Sequence, residues 1–233
     1  MTENSNSYQS FSSANFDPNQ LAQQTASVIQ FVCILDVSPS ISSFQAQMNK
    51  ATNEIFMQEL KNSHRKDDIL VKCITFCEKV KHKSGYQPIL NLTDDYLEIH
   101  AQGGGTALYD ATLQGLETAI DYRKDLEAQG IDVRTAIFIV TDGEDNSSQS
   151  LSAAKITQIA EDLRSNEAWI NSFTITMLGV GDSSGFERAC FKMGLDPKKC
   201  LVSTTDSAKE IREVFGVVSK SVSSSSASSP ITF

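Results

Sequence analysis

Long apolar stretches that do not alternate with polar residues are what most constrains this chain. "SVIQFVCILD" (27–36), "TAIFIVTD" (135–142) and "SFTITMLGVGD" (172–182) are rich in β-branched residues throughout. A strand with one wet face alternates, whereas a strand covered on both faces does not. "DILVKCITFC" (68–77) reads the same way, and "CLVST" (200–204) reads as a short last strand. Strands covered on both faces need a layer on each side, and the segments between them supply it. "SFQAQMNKATNEIFMQEL" places Phe44, Met48, Ala51 and Ile55 on one helical face. "TALYDATLQGLETAIDYRKDLEAQG" is a longer helix ending at Gly130, a residue suited to a C-cap. "LSAAKITQIAEDLRSN" stripes Ile156, Ile159 and Leu163; "FERACFKMG" is shorter, and "DSAKEIREVFGVVSK" closes the series. This order predicts an α/β fold: a doubly wound, mostly parallel sheet with helices on both faces.

One segment interrupts the alternation. "TFCEKVKHKSG" follows its strand too closely for a crossover helix, so it is expected to turn back as an antiparallel edge strand. Residues 61–83 hold seven Lys or Arg against three Asp or Glu. That local excess reads either as a docking patch for an acidic partner or as an edge guarded by lysines, and the guarded edge is the simpler reading. The expected organisation is a polar, flexible segment over 1–26, one domain over 27–219 and a Ser-rich flexible tail over 220–233.

Charge and composition narrow the function. The net charge of −9 argues against nucleic acid, which is bound by basic side chains that displace counterions. No run approaches the roughly 18–20 apolar residues of a membrane helix, and the polar start lacks the pattern of a signal peptide. The expectation is a cytoplasmic protein with no membrane contact. Its five cysteines are expected to be reduced, and Cys73 and Cys77 have poor spacing for zinc.

In a parallel α/β sheet, ligands gather at the carboxyl ends of the strands. There the first strand is followed by "DVSPS", with Asp36, Ser38 and Ser40 at alternate positions. The strand over 135–142 runs into "TDGEDNSS", with Asp142 at its end, and the long helix is preceded by "AQGGGTALYDA", with Thr106 at its expected N-cap. Three separated loops thus bring acid and hydroxyl oxygens to one edge. Such donors suit a hard divalent cation: magnesium or manganese fits them, and calcium less well. Taken singly, each piece is also an ordinary cap or turn. Glu144, Asp145 and Asn146 read either as a rim of that face or as a solvated acidic turn. Asp110, one turn into the helix, suits the helix dipole with or without a metal.

With these three motifs in this order, the chain resembles the von Willebrand factor type A domain family, in its bacterial cytoplasmic form. "DVSPS" is similar to the family's Asp-x-Ser-x-Ser element, and "GGGTALYDA" and "IVTDGEDNSS" to its threonine and aspartate loops. The resemblance spans residues 27–219 and shows no departure at the five site positions. It implies a metal ion-dependent adhesion site formed by Asp36, Ser38, Ser40, Thr106 and Asp142, with the serines on the metal and the aspartates acting partly through water. It implies an adaptor without catalytic activity, whose protein partner supplies an Asp or Glu carboxylate as the last ligand. It points to a bacterial stress-response or ATPase-associated complex, and to a last helix, over 206–219, that shifts when the site is filled.

The rival is a metal-dependent phosphohydrolase. The aspartate-nucleophile class wants Asp-x-Asp where Ser38 stands here, and a P-loop wants a lysine that "GGGTALYDA" lacks. His100 precedes the glycines closely but reads as a solvated loop residue, so no general base is in evidence.

Overall fold

The computed structural model describes residues 15–143, 145–180, 183–195 and 200–203. The expectations for residues 1–14, for Glu144, for the helix over 206–219 and for the tail over 220–233 lie outside the described residues.

Helix α1 (Pro18–Ala22) leads into β1 (Ser27–Asp36). Helix α2 (Gln45–Lys50), a π-helical segment (Ala51–Met57) and α3 (Gln58–Asn62) carry the chain to β2 (Ile69–Phe76). The short β3 (Val80–His82) and β4 (Gln87–Pro88) follow, then α4 (Leu108–Ala128), β5 (Asp132–Thr141), α5 (Ser152–Ser165), β6 (Phe173–Val180), α6 (Ser183–Lys192) and β7 (Cys200–Ser203). Across the sheet the order is β3-β2-β1-β5-β6-β7. From β2 to β7 all neighbours are parallel. The antiparallel edge comes in two pieces, with β3 along one half of β2 and β4 along the other.

Burial follows the apolar runs. Every residue of β2 is buried, as is all but the first residue of β1 and of β5. Alternate side chains build two cores. One holds Val32, Ile34, Ile74 and Ile137 against α4 and α5; the other holds Phe31, Leu35 and Phe138 with Met48, Phe56 and Leu60. Helix α4 buries Leu108, Ala111, Thr112, Gly115, Leu116, Ala119 and Tyr122, one face of a regular helix. Gly115 lets it lie close, since a Cβ there would stand 2.5 Å from Ile34 Cδ1.

Two expectations are corrected. The helix after β1 is not one regular α-helix: the π turn over Ala51–Met57 spans more residues than an α turn, and Met48, Thr52, Phe56, Met57 and Leu60 are buried along the combined segment. The segment expected to be flexible up to residue 26 is partly structured. Asp17 caps α1 through Asn19 N, Leu21 is buried, and Phe16 exchanges backbone and side-chain bonds with Tyr86 and Tyr122. Of the two readings of the basic run, the guarded edge fits three of its lysines. Lys61 bonds Leu92 O and Asp94, Lys81 bonds Gln102, and Lys83 bonds the carbonyls of Tyr96 and Glu98. These lysines pin the segment that runs from β4 to α4 along the sheet edge. Cys33, Cys73, Cys77 and Cys190 are free thiols, all buried.

Lys72 makes a testable contribution to stability. It is 4% exposed on β2, donates to Ser84 O at 3.1 Å and lies over the Tyr86 ring. Burial lowers its pKa to about 8. Between that value and the ordinary lysine value the unfolded chain binds the extra proton, so stability rises with pH there. Burial pushes the Cys33 and Cys73 thiols and Tyr96 the other way, Cys73 and Tyr96 to about 12, so these groups take stability away as pH rises, the thiols from about pH 8.5 and the tyrosine from about pH 10. Urea unfolding of wild type and Lys72→Met at about pH 7.5 and about pH 9.5 is expected to show their stability difference shifting in favour of wild type by up to about 2 kcal/mol as pH rises, and an unchanged difference would remove the assignment.

Candidate metal centre

The chain leaves β1 toward β2 on one side and returns to β5 on the other. The carboxyl ends of β1 and β5 are therefore the switch point of the sheet, where two strand ends diverge into loops and leave a crevice. Asp36 ends β1, and Thr141 ends β5.

Asp36 is 1% exposed, and both its oxygens are held. Oδ1 accepts the Ser38 backbone N–H at 2.8 Å, folding the chain so that the next residues turn over the strand end. Oδ2 accepts the Thr141 hydroxyl at 2.6 Å, which ties β1 to β5 at the crevice floor. Ser38 Oγ lies 3.1 Å from Ser40 Oγ, and Ser40 donates to Asp142 Oδ1 at 3.0 Å. Pro39 opens a 3-10 turn here, and the Ser38 side chain makes no capping bond to it. Four of the five expected residues thus form one hydrogen-bonded series from the buried Asp36 to the partly exposed Asp142.

Thr106 is 5% exposed and reaches the same edge through its backbone. Its N–H donates to Asn146 Oδ1 at 2.7 Å, and its carbonyl accepts the N–H groups of Asn146 and Ser147 at 2.9 and 3.1 Å. Nearby, Gln102 N donates to Val37 O at 2.7 Å, and Ala107 N to Cys77 O at 2.7 Å. The three loops are therefore linked in pairs: the first to the third by Val37, the first to the second by Ser40, and the second to the third by Asn146.

Thr106 is not the N-cap of α4, contrary to expectation. That position is Ala107, which has no side chain able to cap. The capping groups come from the loop after β5. Asp145 Oδ1 accepts Tyr109 N at 3.2 Å and Ser148 Oγ accepts Asp110 N at 2.9 Å, while Ser148 also donates to Asp145. Asp145 and Asn146 therefore hold the helix start rather than forming a free acidic rim. Asp110 accepts Gln149 N at 3.1 Å and the Ser152 hydroxyl at 2.5 Å, so its carboxylate serves the start of α5. His100 is a surface residue, its side chain 71% exposed and 3.9 Å from Glu98.

The von Willebrand factor type A domain matches residues 31–217. The chain belongs to this family. Among solved structures, the type A fold recurs in the pilus adhesin SpaC from Lactobacillus rhamnosus GG, with a TM-score of 0.63 and 13% identity over 85% of this chain and 30% of that one. It recurs in proximal thread matrix protein 1 from the mussel byssus, with a TM-score of 0.57 and 17% identity over 84% of this chain and 46% of that one. It recurs also in the PilB minor pilin from Streptococcus sanguinis, with a TM-score of 0.57 and 12% identity over 86% of this chain and 62% of that one. The chain spans less than two thirds of the length of each. No curated protein matches by sequence. Type A domains commonly mediate protein–protein interaction or adhesion. No helix among the described residues is long and apolar enough to cross a membrane.

The donors at the switch point fit a hard divalent cation. Among the described residues no cluster of three or more His, Cys, Asp or Glu is present, so any ion here depends on hydroxyls beside two carboxylates. Those carboxylates lack a counter-charge: among the described residues neither is ion-paired. Burial pushes the Asp36 carboxyl up despite its bonds from Thr141 and Ser38. Burial does the same to Asp142, against the bond from Ser40, and the Asp36 charge adds to it. The buried Asp36 and the partly exposed Asp142 both carry raised pKa values, and a cation held among them and the hydroxyls between them would offset that cost.

Proposed function

We propose that this type A domain is a metal-dependent protein-binding module. Asp36, Ser38, Ser40, Thr106 and Asp142 would hold magnesium or manganese, and an Asp or Glu carboxylate of a protein partner would complete the shell. The observation that carries this reading is the series Ser38–Ser40–Asp142, whose members lie 3.0–3.1 Å apart although the last comes from a loop 102 residues downstream of Ser40.

A divalent ion bound there supplies an electrophilic centre for an anionic oxygen. The protein's part is to keep that centre open and oriented. Ser38 and Ser40 offer neutral oxygens, which leave the charge of an ion less quenched than carboxylates would. Asp36 is fixed by Thr141 and Ser38 and sets the floor. Asp142 is partly exposed and sits where an arriving carboxylate would repel it unless a cation lay between. Selection for partners with a correctly placed carboxylate follows from that repulsion. The adhesin, pilin and matrix-protein neighbours support a binding role over a catalytic one. The buried free thiols suit a reducing compartment, and we place the protein in the bacterial cytoplasm, within a stress-response or ATPase-associated complex.

Titration calorimetry with magnesium chloride tests the reading. The wild-type protein is expected to bind one ion, and Thr106→Ala about tenfold more weakly. Wild-type protein that takes up no magnesium or manganese would remove the proposal.

A further inference from the structure

Helix α4 begins without a cap of its own. Its first N–H groups must find acceptors elsewhere, since no preceding turn supplies carbonyls to them. Here the acceptors come from a loop 36–40 residues downstream. Asn146 takes Thr106 N, Asp145 takes Tyr109 N and Ser148 takes Asp110 N. The same loop lies directly on the glycines: a Cβ at Gly105 would stand 2.0 Å from Ser147 Oγ and 2.4 Å from Asn146 Oδ1. Asn146 is the centre of this clasp. Its Oδ1 accepts both Thr106 N and the Ser147 hydroxyl, and its own N–H returns a bond to Thr106 O.

We infer that Asn146 is a positioning residue of the metal centre, locking the Thr106 loop to the Asp142 loop so that both move as one body. The inference rests on the proposed metal reading and deepens it. Asn146 lies four residues beyond Asp142 and grips both backbone polar groups of Thr106. The position of Thr106 is therefore set from the aspartate loop rather than by its own helix. Without the clasp, the glycine run over 103–105 leaves Thr106 free to sample other positions, and an ion would have to order it on binding. Outer partners that orient ligands in this way typically change metal affinity 10- to 100-fold when lost. Asn146 is exposed, so its replacement does not disturb the core.

The test compares wild type, Asn146→Ala and Asn146→Asp, with magnesium as the probe. Calorimetry is expected to give about tenfold weaker magnesium binding for Asn146→Ala. Hydrogen exchange on the metal-free proteins is expected to show the Thr106 amide losing protection in Asn146→Ala, while amides in β1 and β5 keep theirs. Asn146→Asp retains the acceptor and is expected to restore protection of the Thr106 amide. That second readout follows the clasp itself and does not depend on any ion. Asn146→Ala with wild-type magnesium affinity and a protected Thr106 amide would overturn the inference while leaving the metal reading intact. Absence of magnesium binding in the wild type would bring down both.

Discussion

Asp36→Ala is expected to weaken magnesium binding about 100-fold while leaving a folded protein. Asp36 does two jobs at once. Its charge is the deepest negative group at the switch point, and its two oxygens hold the Ser38 N–H and the Thr141 hydroxyl. Alanine removes the charge and leaves both donors without acceptors, and Thr141 is 0% exposed, so water does not readily replace the lost partner. An unsatisfied buried donor costs about 1–3 kcal/mol. Against this, alanine also removes a carboxylate whose burial is unfavourable, as its raised pKa shows. The metal-free variant should therefore be only about 1–2 kcal/mol less stable than wild type. Asp36→Asn separates the two jobs, keeping one acceptor and losing the charge. It should bind magnesium almost as poorly as Asp36→Ala and melt closer to wild type without metal. Calorimetry and thermal melts with and without magnesium measure both effects, and wild-type affinity in Asp36→Ala would refute the arrangement of ligands proposed here.

The parts of this structure that could be read from the sequence are those governed by local chemistry. Apolar runs such as 27–36 and 135–142 have one good solution, a strand covered on both faces, and the helical segments between them leave little choice but a doubly wound sheet. Asp36, Ser38 and Ser40 stand out because acid and hydroxyls alternate directly after such a run. The parts that could not be read depend on contacts distant in sequence. Thr106 has the chemistry of an N-cap and precedes a helix, yet Asp145 and Ser148 do the capping from a loop about 40 residues away. Nothing local distinguishes those residues from a solvated acidic turn. Thr141 was visible only as the polar end of a strand; that its hydroxyl meets Asp36 depends on the register of β1 against β5. The π turn was hidden for a different reason. A hydrophobic stripe can be continued by either helix type, and Phe56 and Met57 are buried within the π segment as they would be in an α-helix. The sequence suggests a lysine-guarded edge but not its partners: Lys81 and Lys83 are engaged by Gln102, Tyr96 and Glu98, from a segment that follows the edge in the chain.

Phe31→Ala is expected to do the converse of Asp36→Ala, costing the fold much and the site little. Phe31 is 0% exposed in the middle of β1, between Val71 on β2 and the small Ala136 on β5. Its ring lies 4.8 Å from that of Phe56 at 44°, and so joins the sheet to the π-helical segment above it. Truncation opens a cavity that this close-packed layer cannot fill, at a cost of about 3–5 kcal/mol, or roughly a 10 °C fall in melting temperature. The site lies five residues further along the strand, about 16 Å away, so its ligands keep their positions in the molecules that remain folded. Magnesium bound only by the folded state adds stability by mass action, about 2.7 kcal/mol at a hundredfold excess over the dissociation constant. That increment should be equal in wild type and Phe31→Ala and nearly absent in Asp36→Ala. Denaturant unfolding of the three proteins with and without magnesium measures it. Equal increments in all three would mean that magnesium acts elsewhere on the chain, whereas an increment lost in Phe31→Ala as well would mean that the centre is assembled by the packing of the second core and not by its own loops.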